Sequence, residues 1–220
     1  MHWITLFEEE FSIIRDEKIK PYLIIEGECR YLQALGGIRF ALSAKKYKSF
    51  FNRNGCTVYD NFDVVSFLVT NWIKIQDSLE MLFNLLTGDP VKSLKMLSYL
   101  REKSIPTEEF SLYLYQSHKI ILINRFNYPP KHKKRKSQRL HIISMIKSLN
   151  SQCHYLIVGD RPHLSISSIG NVIEIGKIIH PSGVVLNNYR KEYFRTWYQL
   201  NDNACKYKTS NFSLLNFKRL

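Results

Sequence analysis

Cysteine is sparse in this chain: Cys29, Cys56, Cys153 and Cys205 stand far apart, and no two share a CxxC spacing. That spacing signals neither a zinc ribbon nor a disulfide framework, and the expectation is reduced, partly buried thiols. Long apolar runs are missing too. No stretch reaches the roughly 18 consecutive apolar residues a membrane helix needs, so no membrane partner is expected. There is no P-loop, no GxGxxG and no GxSxG, which removes the common phosphate-cleaving and hydrolase signatures. Acidic residues are scarce in the second half, where only Asp160, Glu174, Glu192 and Asp202 occur. A metal nuclease needs clustered carboxylates, and four scattered ones supply them poorly. The opening MHWITLFEEEF carries Glu8, Glu9 and Glu10, unlike the basic start of a secretory signal or the arginine-rich, acid-poor transit peptide. The expectation is a protein that works where it is made, or one whose leader has been removed.

What is present is positive charge, unevenly placed. The chain has 220 residues and a formal net charge of +13. Residues 1 to 110 hold 14 Lys and Arg against 15 Asp and Glu, whereas residues 111 to 220 hold 18 against 4. Such a polarity sets one face of a molecule against a polyanion, with nucleic acid ahead of a membrane surface or an acidic protein. The length suits one domain with an extension.

Hydrophobic spacing orders the chain. Leu6, Phe7, Phe11, Ile14 and Ile19 predict an amphipathic helix over 4–19, ended near Pro21, in an N-terminal helical segment of residues 1–21. YLIIEG at 22–27 reads as a buried strand, with a helix interrupted at Gly36-Gly37 after it. Asn54-Gly55 is a turn signal ahead of the β-prone CTVY. Phe62 to Val69 is apolar and β-branched, and Thr70 or Asn71 can cap the helix that follows. From Trp72 the apolar side chains fall at 72, 75, 79, 82 and 86, one continuous helical stripe. Gly88-Asp89-Pro90 then turns the chain into a second helical segment ending at Pro106, giving a helical hairpin at 72–105.

HKIILINRF at 118–126 is the clearest strand, SQRLHIISMIKSLN at 137–150 reads as a helix, and QCHYLIVGD at 152–160 is another strand. Strand, helix and strand in this order make a right-handed parallel crossover. VIEIGKII at 172–179 is a further strand. The expected fold is α/β: an open, mostly parallel sheet flanked by helices, Rossmann- or flavodoxin-like, over residues 22–180, with the helical hairpin inserted. Residues 181–220 form a basic, aromatic extension with no apolar period, of a kind that usually orders only against a partner.

The sharpest chemical feature is PPKHKKRKSQR at 129–139. Lys131, Lys133, Lys134, Arg135, Lys136 and Arg139 place six cations in nine residues, between a strand's carboxyl end and the next helix. Helix amides already attract phosphate and the lysines add point charges around them, so a phosphate backbone is the expected ligand. In the extension, Arg190, Lys191 and Arg195 interleave with Tyr189, Tyr193, Phe194, Trp197 and Tyr198, a combination that grips phosphates and offers stacking faces to unpaired bases. Lys45, Lys46, Lys48 and Arg53 extend this surface or simply end an exposed helix. Asp160, Glu174 and Lys177 approach a nuclease constellation of the Asp, Glu-x-Lys type, but the Glu-to-Lys spacing is three rather than two. His154 and His163 read as hydrogen-bonded structural residues. No metal or other cofactor is expected.

The order of elements resembles the small-subunit ribosomal protein 2 family. In that family a strand ending in Gly opens a helix, and LIIEGECR at 23–30 is similar. A Leu-x-Thr-Asn-Trp signature starts the family's long helix, and residues 68–72 read Leu-Val-Thr-Asn-Trp. The return strand is matched by IILIN at 120–124, and a later strand with its acidic, Pro-containing loop by LIVGDRP at 156–162. The resemblance spans about 22 to 180. It implies that Trp72 wedges the base of the helical hairpin onto the sheet while Thr70 or Asn71 caps the helix. The chain departs from the pattern at Val65-Ser66-Phe67, where the family has Leu-Gly-Gly, and in its short hairpin, its basic run at 131–136 and its residues after 180.

The resemblance implies a non-enzymatic structural constituent of the small ribosomal subunit that binds ribosomal RNA and neighbouring ribosomal proteins and takes no small-molecule substrate. The abundance of Lys, Asn, Phe, Tyr and Ile suits an AT-rich genome, so the expected compartment is the mitochondrial matrix, with the cytoplasm as the alternative. The competing expectations are a metal-dependent nuclease or a DNA-binding accessory protein of a virus or mobile element.

Overall fold

The computed structural model describes residues 2–15, 22–27, 49–55, 77–124, 140, 143–144, 146–149, 152–158, 172–178 and 214–218. Its centre is a four-stranded sheet of β2 (Tyr22–Gly27), β3 (Ile120–Asn124), β4 (Cys153–Val158) and β5 (Val172–Ile178), in the order β3-β2-β4-β5. Every pairing is parallel. Parallel strands are buried on both faces, which is why these segments read as near-continuous apolar runs. Ile24 and Ile25 occupy opposite faces of β2, and both are buried, as are Ile121 and Leu122 of β3 and Tyr155 and Leu156 of β4.

The helical layer begins with α1 (His2–Phe11). The helix predicted over 4–19 ends at Phe11, because Ser12 takes a left-handed backbone (φ 53°) and the β-branched pair Ile13–Ile14 becomes β1. Strand β1 pairs antiparallel with β6 (Asn216–Phe217). Ile13 is buried and Ile14 exposed, as a strand rather than a helical stripe requires.

Helices α2 (Asp77–Thr87) and α3 (Pro90–Glu102) form a helical pair. At their corner Gly88 has φ 68°, and Asp89 caps α3, its Oδ1 accepting from Val91 N (2.8 Å) and Lys92 N (3.3 Å). Pro90 fits the first turn, where its missing N–H is no loss. The corner also holds a buried polar group: Ser93 Oγ donates to Asn84 Oδ1 at 3.2 Å and lies 2.7 Å from Thr87 Oγ1. Residues 82–87 of α2 are all buried, so this helix runs through the core with more than one face covered.

A third helix follows, α4 (Thr107–His118), which the apolar spacing does not predict. Phe110 to Leu114 are five consecutive buried residues, and a helix covered all round has no stripe to read. Its only local marks are Pro106 before it and Glu108 and Glu109 in its first turn.

Aromatic rings hold these helices together. Phe7 is fully buried, with ring centroids 5.1 to 6.0 Å from Trp3, Phe11, Tyr99, Phe110 and Tyr113. Phe83 of α2 stacks on Phe110 of α4 at 5.3 Å, and Trp3 Nε1 donates to Glu109 Oε2 at 2.7 Å. Truncating one such buried ring to alanine costs about 3–5 kcal/mol, so α1 belongs to the core and is no appendage.

The segment 214–218 docks on this body. Leu214 N and Leu215 N donate to the carbonyls of Leu85 and Leu86, both at 3.0 Å, and Lys218 N donates to Ser12 O at 2.8 Å. Leu215 is fully buried. Carbonyls in the last turn of a helix lack intrahelical partners, and this segment supplies them. Residues 214–218 of the expected extension therefore pack on the protein's own body. Of the helix expected over 137–150, residues 140, 143–144 and 146–148 are helical; Ile146 is buried, whereas Leu140 is exposed and does not join the core.

Candidate nucleic-acid interface

Four parallel strands put all four carboxyl ends, Gly27, Asn124, Val158 and Ile178, on one edge of the sheet. The chain moves from β2 to β3 in one direction and then crosses to β4 on the other side of β2. The strand order therefore reverses between β2 and β4, and the carboxyl ends beside such a reversal are the usual ligand position in open parallel sheets.

Next to that edge lies a charged row. Glu26 of β2 is in register with Ile157 of β4, and Ile157 with Lys177 of β5. Residues in register share a face, so Glu26 and Lys177 occupy the same one, two strand spacings apart, or about 9.6 Å between backbones. A β-bulge creates this row. Opposite Tyr155 and Leu156 of β4 stand Glu174 and Gly176, leaving Ile175 as the extra residue. In a regular strand Glu174 and Lys177, three apart, fall on opposite faces; the bulge puts them on the same one. The three-residue spacing thus acts here as a spacing of two. The signal in the sequence is Gly176 inside a β-branched run. Asp160, the third member of the expected constellation, lies outside the described residues. Among the described residues no group of three or more His, Cys, Asp and Glu is placed to hold a metal ion.

The predicted RNA-binding residues Lys131, Lys133, Lys134, Arg135, Lys136, Arg139, Lys45, Lys46, Lys48, Arg190, Lys191 and Arg195 lie outside the described residues, as do Thr70, Asn71 and Trp72 of the structural corner. Arg53 is described: it is exposed, and its Nε donates to Ser49 O at 3.2 Å, the surface helix end that one reading of this group expects. His154 sits half-buried on β4.

The amino edge is different. There Tyr113 lies between α1 and the end of α4, with its hydroxyl 2.8 Å from His118 Nε2 and hydrogen-bonded to Glu8. Burial first, and then the Glu8 charge, push the Tyr113 phenol far above its ordinary range. Glu8 also pairs with Arg15 at 2.9 Å, and that hydrogen bond raises the Arg15 guanidinium. These contacts tie α1 and β1 to α4 and are structural.

No family model matches this chain, and neither a curated protein nor a solved structure does so. Among the described residues no helix is long and apolar enough to cross a membrane.

Proposed function

We propose that this protein is a non-catalytic, structural constituent of the small ribosomal subunit, mitochondrial in setting, that binds ribosomal RNA and neighbouring ribosomal proteins in support of translation. Its sheet is read as a doubly wound, Rossmann- or flavodoxin-like unit carrying α2 and α3 as the inserted hairpin and a basic extension after residue 180. The observation that carries the reading is the uneven division of charge along the chain. The half of the chain with 18 basic and 4 acidic residues includes the six-cation run that follows β3 in sequence. The acidic side chains Glu8, Glu9, Glu10, Glu108 and Glu109 belong instead to α1 and α4. Charge divided in this way along the chain suits a protein whose basic part meets phosphates while its acidic helices pack on the body.

Binding of the purified protein to structured ribosomal RNA tests the reading. Six phosphate contacts imply an affinity that falls roughly a thousandfold between 50 and 200 mM salt. An affinity unchanged over that range, or a native protein that sediments apart from ribosomal subunits, defeats it.

A further inference from the structure

We infer that α3 and the docked segment 214–218 form a phosphate-binding surface of their own, with Lys92, Lys95 and Lys218 lying along the backbone of a bound RNA. This deepens the RNA-binding reading and rests on it, but it draws on none of the cations predicted from sequence. Three observations converge. Docking brings together lysines from distant parts of the chain: Leu214 and Leu215 bond to the end of α2, the Phe217 ring meets the Lys92 ammonium at 3.8 Å, and Lys218 is the next residue. Lys95 stands one helical turn after Lys92. None of the three forms an ion pair among the described residues, because Asp89 is occupied as the cap of α3 and this helix has no acid before Glu102. Their placement also works against stability, since a cation in the first turn of a helix opposes its dipole and like charges three residues apart repel. The Phe217 ring offsets part of that cost and holds the Lys92 ammonium in place, while Lys95 and Lys218 stay exposed.

The chemistry selects the ligand. Ammonium groups gathered without counter-charges are neutralised by a polyanion, and the counterions it releases favour the contact. Lysine meets phosphate as a point charge and carries no base preference, so this surface positions RNA without reading its sequence. An acidic protein segment is the competing occupant, and it would need apolar anchors. The exposed pair Val91 and Leu94 is centred about 100° around α3 from Lys92 and Lys95, so the anchors and the lysines face different sides.

Titration of a labelled RNA hairpin with the full chain between about 50 and 200 mM salt tests this. Each phosphate contact adds about 0.9 to the slope of log affinity against log salt. Lys95→Met and Lys218→Met should each lower the slope by about that amount and weaken binding roughly three- to tenfold, and the double substitution should combine the two losses. Arg101→Met removes the same charge from an exposed position near the other end of α3, about 120° around the helix from Lys95, and should stay within roughly twofold of the parent. A footprint on the unsubstituted protein covers the case in which a variant misfolds: the bound hairpin should slow acetylation of Lys95 and Lys218. Equal losses for Lys95→Met and Arg101→Met overturn the inference, because net charge then explains both, and so does acetylation of Lys95 and Lys218 that the hairpin leaves unchanged. Variants that bind the hairpin as the parent does but lose affinity for polyglutamate also overturn it, since the surface then serves an acidic protein. In either outcome RNA binding by the parent keeps the broader reading standing. A parent that binds no RNA hairpin defeats both.

Discussion

Leu215 is the residue on which the docking of segment 214–218 turns. It is fully buried against the body, and its N–H donates to the Leu86 carbonyl at 3.0 Å. Deleting a buried leucine side chain to alanine costs about 2–5 kcal/mol, depending on how far the site collapses. Here the upper limit is set by the docking itself, since once the segment leaves the body nothing further is lost. Docking includes the Leu215 burial, three backbone hydrogen bonds at about 1 kcal/mol net each beside the pairing of β6 with β1, and the Lys92 ammonium 3.8 Å above the Phe217 ring. Leu215→Ala is therefore expected to lower stability by about 3 kcal/mol, and in a chain of this length each kcal/mol moves the melting temperature by about 2–4 °C, giving roughly 6–12 °C. Thermal melts of the full chain measure this, with Lys218→Ala, an exposed position, as the control expected to stay within about 0.5 kcal/mol. Amide exchange supplies the second readout: the N–H groups of Leu214, Leu215 and Lys218 should be protected in the parent protein and exposed together in Leu215→Ala. If the melting temperatures coincide and these amides exchange freely in the parent, the segment is not docked and the argument fails.

Two further outcomes follow from local geometry. Asp89→Ala removes the side-chain acceptor at the start of α3 and should cost about 1 kcal/mol by urea unfolding, while Asp89→Asn, which keeps an acceptor oxygen, should cost less. Because the folded state raises the Tyr113 phenol above its ordinary 10.0, its contribution to stability is complete below pH 10 and is lost as the pH rises through the folded value. Tyr113→Phe should therefore be less stable than the parent at neutral pH by about 1–3 kcal/mol, with Glu8 and His118 deprived of the hydroxyl, and the gap should narrow above pH 10 in melts taken across the alkaline range.

The parallel sheet was legible in the sequence because β2, β3 and β4 are buried on both faces. YLIIEG, IILIN, CHYLIV and VIEIGKI stand out as short apolar, β-branched runs, and each forms a strand within a residue or two of its expected limits. The corner between α2 and α3 was legible for a different reason, since Gly-Asp-Pro supplies a left-handed turn, a cap and a helix start in three consecutive residues. Periodicity fails where tertiary contacts cover a helix on every side, as in α4. It also fails where a long-range pairing decides the local structure. Ile13 and Ile14 would continue α1 on spacing alone, but they become a strand because residues 216 and 217, two hundred positions later, pair with them. The charged row of the candidate site was half visible: Glu174 and Lys177 stand out by type, but only the bulge reveals that they share a face with Glu26.

The pairing of β1 with β6 also bears on how the basic residues work. The chain leaves the sheet at Ile178 and returns to the body at Leu214, so the segment between them, with Arg190, Lys191 and Arg195, is fixed at both ends. A chain held at both ends loses less conformational freedom on binding than one held at a single end. The loop-closure term for some 35 residues is on the order of 3 kcal/mol, and the folded body has already met it. Anchoring the segment therefore strengthens any polyanion contact that its cations make, without adding a contact. The same anchor places the return point beside Leu85 and Leu86 at the end of α2, next to the corner where α3 begins. Helix packing and terminal docking are therefore linked through one small two-stranded sheet, and on the RNA-binding reading proposed above a change that opens it should weaken that binding even though no basic residue has been touched.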